Sequence, residues 1–325
     1  MAVDIFSIEP NKISRDLKGK YVLVYSLPKV GKTSLAAQFP RALLCAFEIG
    51  YHALPGVKPI DIGSWSDFKK VVQQLKLPKA KEMYDTIIID TVSIATDLCE
   101  KYILAQNDVA ALGDIPWGGG WSQYKKEFDT PFRELTQLGY GIVFICHSKE
   151  VATGIKDDDG NDIKGVTPDI NKVGLNTVNR LVDIIGYISS EFQPDGTSKR
   201  YFYTRQTPTV FAGSRYKYLA PKIEFGYEPL VNAIADAIEK EADEGAQVTD
   251  DTFKNKEYIP TRSFEDCFNE AKALWTKLVG DGNAENVDKI NNIIIETFGE
   301  RKKLSEVSPS QHEQLEIIVA EMNKM

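Results

Sequence analysis

Short apolar runs alternate with longer amphipathic stretches over the first two-thirds of the chain. Tyr21–Tyr25 (YVLVY), Ala42–Phe47 (ALLCAF), Thr86–Asp90 (TIIID) and Gly141–Cys146 (GIVFIC) are apolar almost throughout, the signature of strands buried on both faces. Between them a helix begins at Thr33–Gln38, and helical spacing recurs over Trp65–Leu75, Val92–Leu104 and Ser122–Leu138. Buried strands separated by helices predict an α/β fold with a mainly parallel sheet covered on both sides.

Beyond His147 the pattern changes. Lys149–Ile170 is polar and turn-rich, with Asp159-Gly160-Asn161 suited to a hairpin tip. A helix over Asn176–Val182 follows, then strands at Ile184–Ser189 and Lys199–Tyr203 joined by the Pro194–Gly196 turn. The core is expected to end near Ala237. Asp236–Glu257 carries eight carboxylates against three lysines and reads as a solvated linker. In Ser263–Met325, Phe264, Phe268, Ala271, Trp275 and Leu278 follow one helical face and Val287, Ile290, Ile294 and Phe298 another. Ser308, Pro309 and Gln311 form a helix-start signal for a third. The expected organisation is therefore a core over 1–237, a linker over 238–262 and a small helical domain over 263–325, with no internal repeat.

Composition narrows the function classes. The 325 residues are 42% hydrophobic, enough for a substantial core, and carry a net charge of -8. That charge argues against a generally basic nucleic-acid coat protein, although local charge in a groove or loop still permits DNA contact. No apolar run approaches the roughly twenty residues that span a bilayer, and Met1 to Asp16 lacks the features of a signal peptide. Cys45, Cys99, Cys146 and Cys267 are far apart and form no CxxC pair, which favours buried, reduced thiols. These features together indicate a cytoplasmic protein with no membrane partner.

The candidate chemistry starts at the end of the first apolar run. Ser26-Leu27-Pro28-Lys29-Val30-Gly31-Lys32-Thr33, followed by Ser34, joins that strand to a helix, the context of a Walker A phosphate loop. Backbone N–H groups would hold phosphates, Lys32 would reach the β- and γ-phosphates of ATP, and the Thr33 hydroxyl would ligate Mg²⁺. Without ligand, Lys32 is expected to face solvent. Ser26 stands where the pattern has a glycine, a position that can demand a conformation strained for other residues. Asp90 closes an apolar strand as a Walker B aspartate does and would hold Mg²⁺. Glu48 ends the preceding strand and either orients the attacking water or is structural; His147 ends the fourth and either senses the γ-phosphate or is structural. His52 and His312 are read as structural.

The stretches SLPKVGKTS (26–34), CAFEIGYHALPG (45–56), YDTIIIDTVS (84–93) and GIVFICHSK (141–149) resemble the RecA-like P-loop ATPases. The likeness, over about residues 20–230, is greatest to the compact phage group of Sak-type single-strand annealing and nucleotide-binding proteins. A glutamate ending the strand after the Walker A helix favours this branch over kinases. The resemblance implies an ATPase acting on single-stranded DNA in phage recombination or replication, assembled as a ring or filament in the bacterial host cytoplasm. An ATP-gated scaffold with little turnover and a hexameric translocating helicase are its rivals. A small-molecule kinase is disfavoured because no arginine-rich lid follows the Walker B region. The family places DNA-contacting loops after the Walker B helix and after the next strand. Here these are Gly113–Trp121, whose Trp117 and Trp121 either stack on bases or pack on the core, and the acidic, poorly matching Lys149–Asn171. A single-strand binding protein is a further candidate partner, through the C-terminal helices.

The most one-sided charge segment is Lys199–Lys222, with six basic residues and no carboxylate among interleaved aromatics. Arg215 and Lys217 share a strand face, and related RecA-like assemblies supply such cations across subunits to a neighbour's ATP. Alternatively, Arg205 and Lys217 line a DNA groove, or the segment is an edge strand protected by charge.

Overall fold

The computed structural model describes residues 13–14, 17–249, 263–280 and 282–325. Two compact units divide these residues at the 250–262 segment. In chain order the first contains β1 (Ile13–Ser14), β2 (Tyr21–Ser26), α1 (Lys32–Ala36), β3 (Ala42–Ala46), β4 (Pro59–Asp61), α2 (Trp65–Leu75), α3 (Pro78–Met83), β5 (Thr86–Asp90) and α4 (Val92–Asn107). It continues with α5 (Gly119–Gln137), β6 (Gly141–Lys156), β7 (Asp162–Pro168), α6 (Lys172–Leu181), β8 (Ile184–Phe192), β9 (Ser198–Tyr203), β10 (Gly213–Ser214), β11 (Lys222–Glu224), α7 (Tyr227–Asp243) and β12 (Val248–Thr249).

The main sheet runs β11-β9-β8-β2-β6-β5-β3-β4. Its six strands from β8 to β4 are parallel, and β9 and β11 extend one edge antiparallel. Period-two alternation within each apolar strand splits the core in two. Leu23, Tyr25, Cys45, Ile87, Ile89, Ile142 and Phe144 pack under α2, α4, α5 and α6, while Val22, Val24, Leu44, Ile88, Val143 and Ile145 pack under α1 and α7. Each such side chain taken from water contributes about 1.5–3 kcal/mol, which is why the strands read as continuous apolar runs. Helix boundaries follow local caps: Ser64 accepts from the Asp67 amide to start α2, and Asn171 accepts from Gly174 to start α6. All four cysteines are buried, and burial pushes the Cys45 thiol up to about 12 and Cys146 to about 11.

Two expectations change. Residues 149–168 are not the loop that the resemblance implies: β6 continues past the sheet and folds back on β7 as an antiparallel hairpin, turning at Asp157–Asn161, where the hairpin tip was expected. The acidic stretch is not linker from 238 onward either. Helix α7 runs to Asp243 with Ala237 and Ile238 fully buried, and β12 pairs in parallel with β1. Its carboxylates occupy the outer face of an amphipathic helix, so a charge count alone mistook that face for a linker. The remainder of the linker, 250–262, lies outside the described residues.

The second unit is three helices, α8 (Phe264–Val279), α9 (Ala284–Phe298) and α10 (His312–Met322). Their facing sides bury Cys267, Ala271, Ile290, Ile294, Leu315, Ile318, Val319 and Met322. Among the described residues, no helix is long and apolar enough to cross a membrane.

Candidate nucleotide site

Parallel register brings distant residues to one edge of the sheet. Ser26 pairs with His147, and Asp90 pairs with Ala46 on one side and Ile145 on the other. The amides of Phe47 and Glu48 both donate to the Asp90 carbonyl, at 2.7 and 3.0 Å, which ties the Glu48 backbone to the end of β5. The loop after Ser26, Glu48, Asp90 and His147 thereby line one cavity of about 370 Å³ at the carboxyl ends of the strands. Gly50, Ala53 and Leu54 close its far wall. Nothing in their residue types marks them; only their place just after Glu48 does.

Within the loop the left-handed conformations fall on Lys29 (φ 63°) and Gly31 (φ 107°), not on Ser26. Serine at the first position therefore meets no backbone penalty of the kind glycine relieves. Its hydroxyl instead donates to the Leu27 carbonyl at 2.8 Å and accepts from Lys32 at 3.3 Å. The expectation that Lys32 faces solvent is wrong. The side chain is 5% exposed, and its ammonium donates to the carbonyls of Leu27 (2.9 Å) and Ser26 (3.3 Å), folded onto the mouth of the loop. A loop carbonyl pair can hold a lysine only until phosphate oxygens offer a stronger, charged acceptor.

Thr33 Oγ1 donates to Asp90 Oδ2 at 2.7 Å, so the two groups proposed for Mg²⁺ touch. Burial raises the Asp90 pKa and outweighs the Thr33 hydrogen bond that lowers it, with Glu48 adding to the rise. Burial likewise lowers the Lys32 pKa, against the pull of Asp90. Each charge alone is disfavoured here, and a divalent cation with polyphosphate would compensate both. Hydroxyl, carboxylate and ammonium form a donor set that fits Mg²⁺–ATP, with phosphate oxygens completing the metal's shell. Glu48 Oε2 lies 3.4 Å from His147 Nε2, while the other ring nitrogen, Nδ1, is buried without a hydrogen-bond partner. The imidazole thus turns its accessible nitrogen to Glu48 and to the cavity.

One contributor escaped sequence reasoning. Arg200, on β9, donates from Nη1 to the Val30 carbonyl at 2.7 Å and lies over the Phe225 ring, 4.5 Å from its centroid. A Cβ at Gly31 would come within 2.9 Å of the same Nη1. Arg200 therefore buttresses the loop from the neighbouring strand, at the point where only glycine fits. The basic segment contained it, but no local spacing linked residue 200 to residue 31.

Most other cations of that segment are held inside their own fold, away from the cavity. Arg205 donates to the carbonyls of Ser214, Tyr216 and Lys217. Lys217 pairs with Glu244 at 2.6 Å, and Lys222 with Glu191 at 2.6 Å. Arg215 pairs with Asp183 at 3.1 Å and donates to the Arg180 carbonyl at 2.6 Å. Asp183 also accepts from the Tyr21 amide, which places Arg215 at the start of β2, the edge opposite the phosphate loop.

Neither loop tryptophan packs into the core. Trp117 is wholly exposed (102%) and Trp121 about half exposed (54%), the latter in the first turn of α5, which begins three residues earlier than its sequence pattern indicates. The loop beneath them is nonetheless fixed. Leu112 and Ile115 are buried, and a Cβ at Gly120 would lie 2.2 Å from the Leu112 carbonyl oxygen. Trp117 itself sits at φ 60°, a strained conformation for an aromatic residue.

Parallel sheet, phosphate loop and convergent acidic strand ends define an AAA-type P-loop ATPase fold. The chain belongs to the AAA domain family, which it matches over residues 18–216. It is similar along its whole length to the SPbeta prophage-derived uncharacterized protein YorG of Bacillus subtilis (strain 168), at 31% identity over 334 positions, covering 100% of this chain and 99% of the relative. A KaiC-like protein, PH0186, from Pyrococcus horikoshii OT3 aligns with 66% of this chain and 88% of its own at 12% identity and a TM-score of 0.36, too distant to bear on function.

Proposed function

We propose that this protein is a Mg²⁺-dependent ATPase that assembles into a ring or filament and acts on single-stranded DNA, in the annealing or strand-pairing steps of phage recombination or replication. The observation that carries the ATPase reading is the convergence of Lys32, Thr33, Asp90, Glu48 and His147 on one cavity. In this reading Lys32 leaves the Ser26 and Leu27 carbonyls for the β- and γ-phosphates, and Thr33 and Asp90 hold the metal. Mg²⁺, when bound, neutralises charge on the phosphate oxygens. Glu48 orients and deprotonates the attacking water, and His147 registers the γ-phosphate through its accessible nitrogen.

The DNA reading rests on Trp117. A fully exposed indole on an anchored, strained loop is ready to stack on an unpaired base without first being ordered. The 31% identical prophage-derived relative supports the phage setting. The resemblance to Sak-type proteins is what favours annealing over translocation.

The test is phosphate release and nucleotide affinity, measured with and without an unstructured oligonucleotide. Wild type should turn ATP over and be stimulated by DNA, and Lys32→Ala should lose nucleotide binding while keeping its fold. Equal nucleotide affinity in both proteins overturns the nucleotide site. A nucleotide-binding protein that neither binds nor responds to the oligonucleotide overturns the DNA assignment alone.

A further inference from the structure

The C-terminal helices contain a concavity unlike the rest of this acidic chain. It opens between α8 and α9 beneath the 302–305 segment, with a volume of about 470 Å³, within the size range of small-ligand pockets, roughly 300–1,000 Å³. Its apolar surface comes from the half-buried Trp275, buried Ile294 and Leu304. Three ammonium groups stand around it, Lys272, Lys302 and Lys303, and no carboxylate lines it.

Those lysines also lack carboxylate partners among the described residues. Elsewhere in the same unit Lys289 pairs with Glu285, and Lys324 with Glu321. Lys272 lies over the Phe268 ring, and Lys302 lies over Phe298 and donates to the neutral Gln311 side chain at 2.9 Å. None of the three has a carboxylate partner among the described residues. Three positive charges around an indole, in a chain of net charge -8, call for an anionic ligand with an apolar face.

We propose that this pocket binds a nucleotide unit of single-stranded nucleic acid, its base against Trp275 and its flanking phosphates at Lys272, Lys302 and Lys303. The Asn291 carboxamide, which makes no side-chain hydrogen bond among the described residues, faces the pocket as a donor and acceptor for a base edge. An acidic peptide would also satisfy the lysines and, through its backbone, the amide; the nucleotide is the better fit because a flat base matches the indole face of Trp275 while its flanking phosphates meet the surrounding ammonium groups. The assignment rests on the reading of this protein as one that acts on single-stranded DNA, and gives the helical unit a DNA contact of its own.

The experiment uses the full chain and an oligothymidylate carrying a single 5-iodouracil. Photocrosslinking followed by peptide mapping should place adducts on the peptide containing Trp275. Lys272→Glu with Lys303→Glu should weaken binding about tenfold or more and reduce the salt slope by roughly 1.4, two single-strand phosphate contacts. Unchanged thermal melting of that double variant shows that its fold is retained. Adducts confined to Trp117 or Trp121, with affinity untouched by the lysine changes, overturn the pocket and leave the DNA function standing. Absence of oligonucleotide binding by any form overturns both. If the lysine changes instead abolish binding of a fluorescent Asp-rich peptide ending in Phe and spare the oligonucleotide, the pocket belongs to a protein partner and the proposal falls.

Discussion

The phosphate-loop edge and the basic segment 199–222 make opposite use of charge. At the loop edge, residues up to 121 positions apart in sequence, from Ser26 to His147, meet because each lies at or just past the carboxyl end of a parallel-paired stretch and the register of β3, β5, β6 and β2 is fixed. In the basic segment, six cations close together in sequence disperse, and Arg215, Lys217 and Lys222 are neutralised by Asp183, Glu244 and Glu191. A strand end is a position in space, whereas a run of charge is only a composition. Function is therefore better read from where a residue sits along a buried strand than from how many like charges surround it.

The largest effect that could break this contrast is at Glu48. Glu48→Gln keeps the shape and the backbone link to Asp90 but loses the base. Turnover should fall about a hundredfold or more while ATP affinity stays near wild type. Retained turnover, read by phosphate release under saturating ATP, would move water activation to His147 and leave Glu48 a mere strand end.

Arg200 is the exception that sharpens the comparison, being the one cation of the basic segment seen to reach the site. Its planar guanidinium donates to the Val30 carbonyl while lying over the Phe225 ring, a combination that a single ammonium serves less well. Arg200→Ala should weaken nucleotide binding about tenfold with a smaller change in kcat, and Arg200→Lys should restore little of it. A lysine variant that behaves as wild type would mean that only the charge matters and the loop needs no buttress.

How far the sequence carried follows the same physics. Trp65–Leu75 and Thr86–Asp90 were legible to the residue, because helical spacing, and an unbroken apolar run, each specify one element. The hairpin at 149–168 was not, since its side chains are largely exposed and carry no burial pattern; only the turn at its tip gave it away. Lys32's folded-back position and the harmless Ser26 lie beyond sequence because backbone dihedrals and loop carbonyls decide them. Arg200 lies beyond it for another reason. Its proximity to Gly31 depends on β9 joining the sheet through β8, a pairing that single-sequence patterns do not reveal.

Asp90 gives a smaller, signed effect. With its pKa raised in the ligand-free fold, the carboxylate favours folding while protonated, and that contribution is lost as pH rises through the raised pKa. At neutral pH its ionised form is a net cost that Mg²⁺–nucleotide relieves. Asp90→Asn should therefore melt slightly higher than wild type without ligand, by about 2–4 °C for each kcal/mol relieved. It should also gain less from Mg²⁺–ATP. A lower ligand-free melting temperature would show that the Thr33 hydrogen bond, not burial, dominates at Asp90.

The smallest effects are expected where sequence pointed most insistently, at Arg215 and Lys217. Both are more than half exposed and paired on the protein surface, and such pairs contribute little, about 0–1 kcal/mol where measured. Arg215→Ala should hydrolyse ATP within about twofold of wild type and melt at most a few degrees lower. An arginine acting on a neighbour's nucleotide would behave otherwise, since its loss costs about a thousandfold or more in well-studied cases. Mixing decides between them: Arg215→Ala combined with Lys32→Ala should give no more activity than the Arg215→Ala protein in the mixture gives alone. Recovery on mixing would require interfaces in which one subunit contributes Lys32 and its neighbour Arg215. That result would break the contrast drawn here, because a surface cation anchored to Asp183 at the far edge of the sheet would then belong to a catalytic site that only assembly completes.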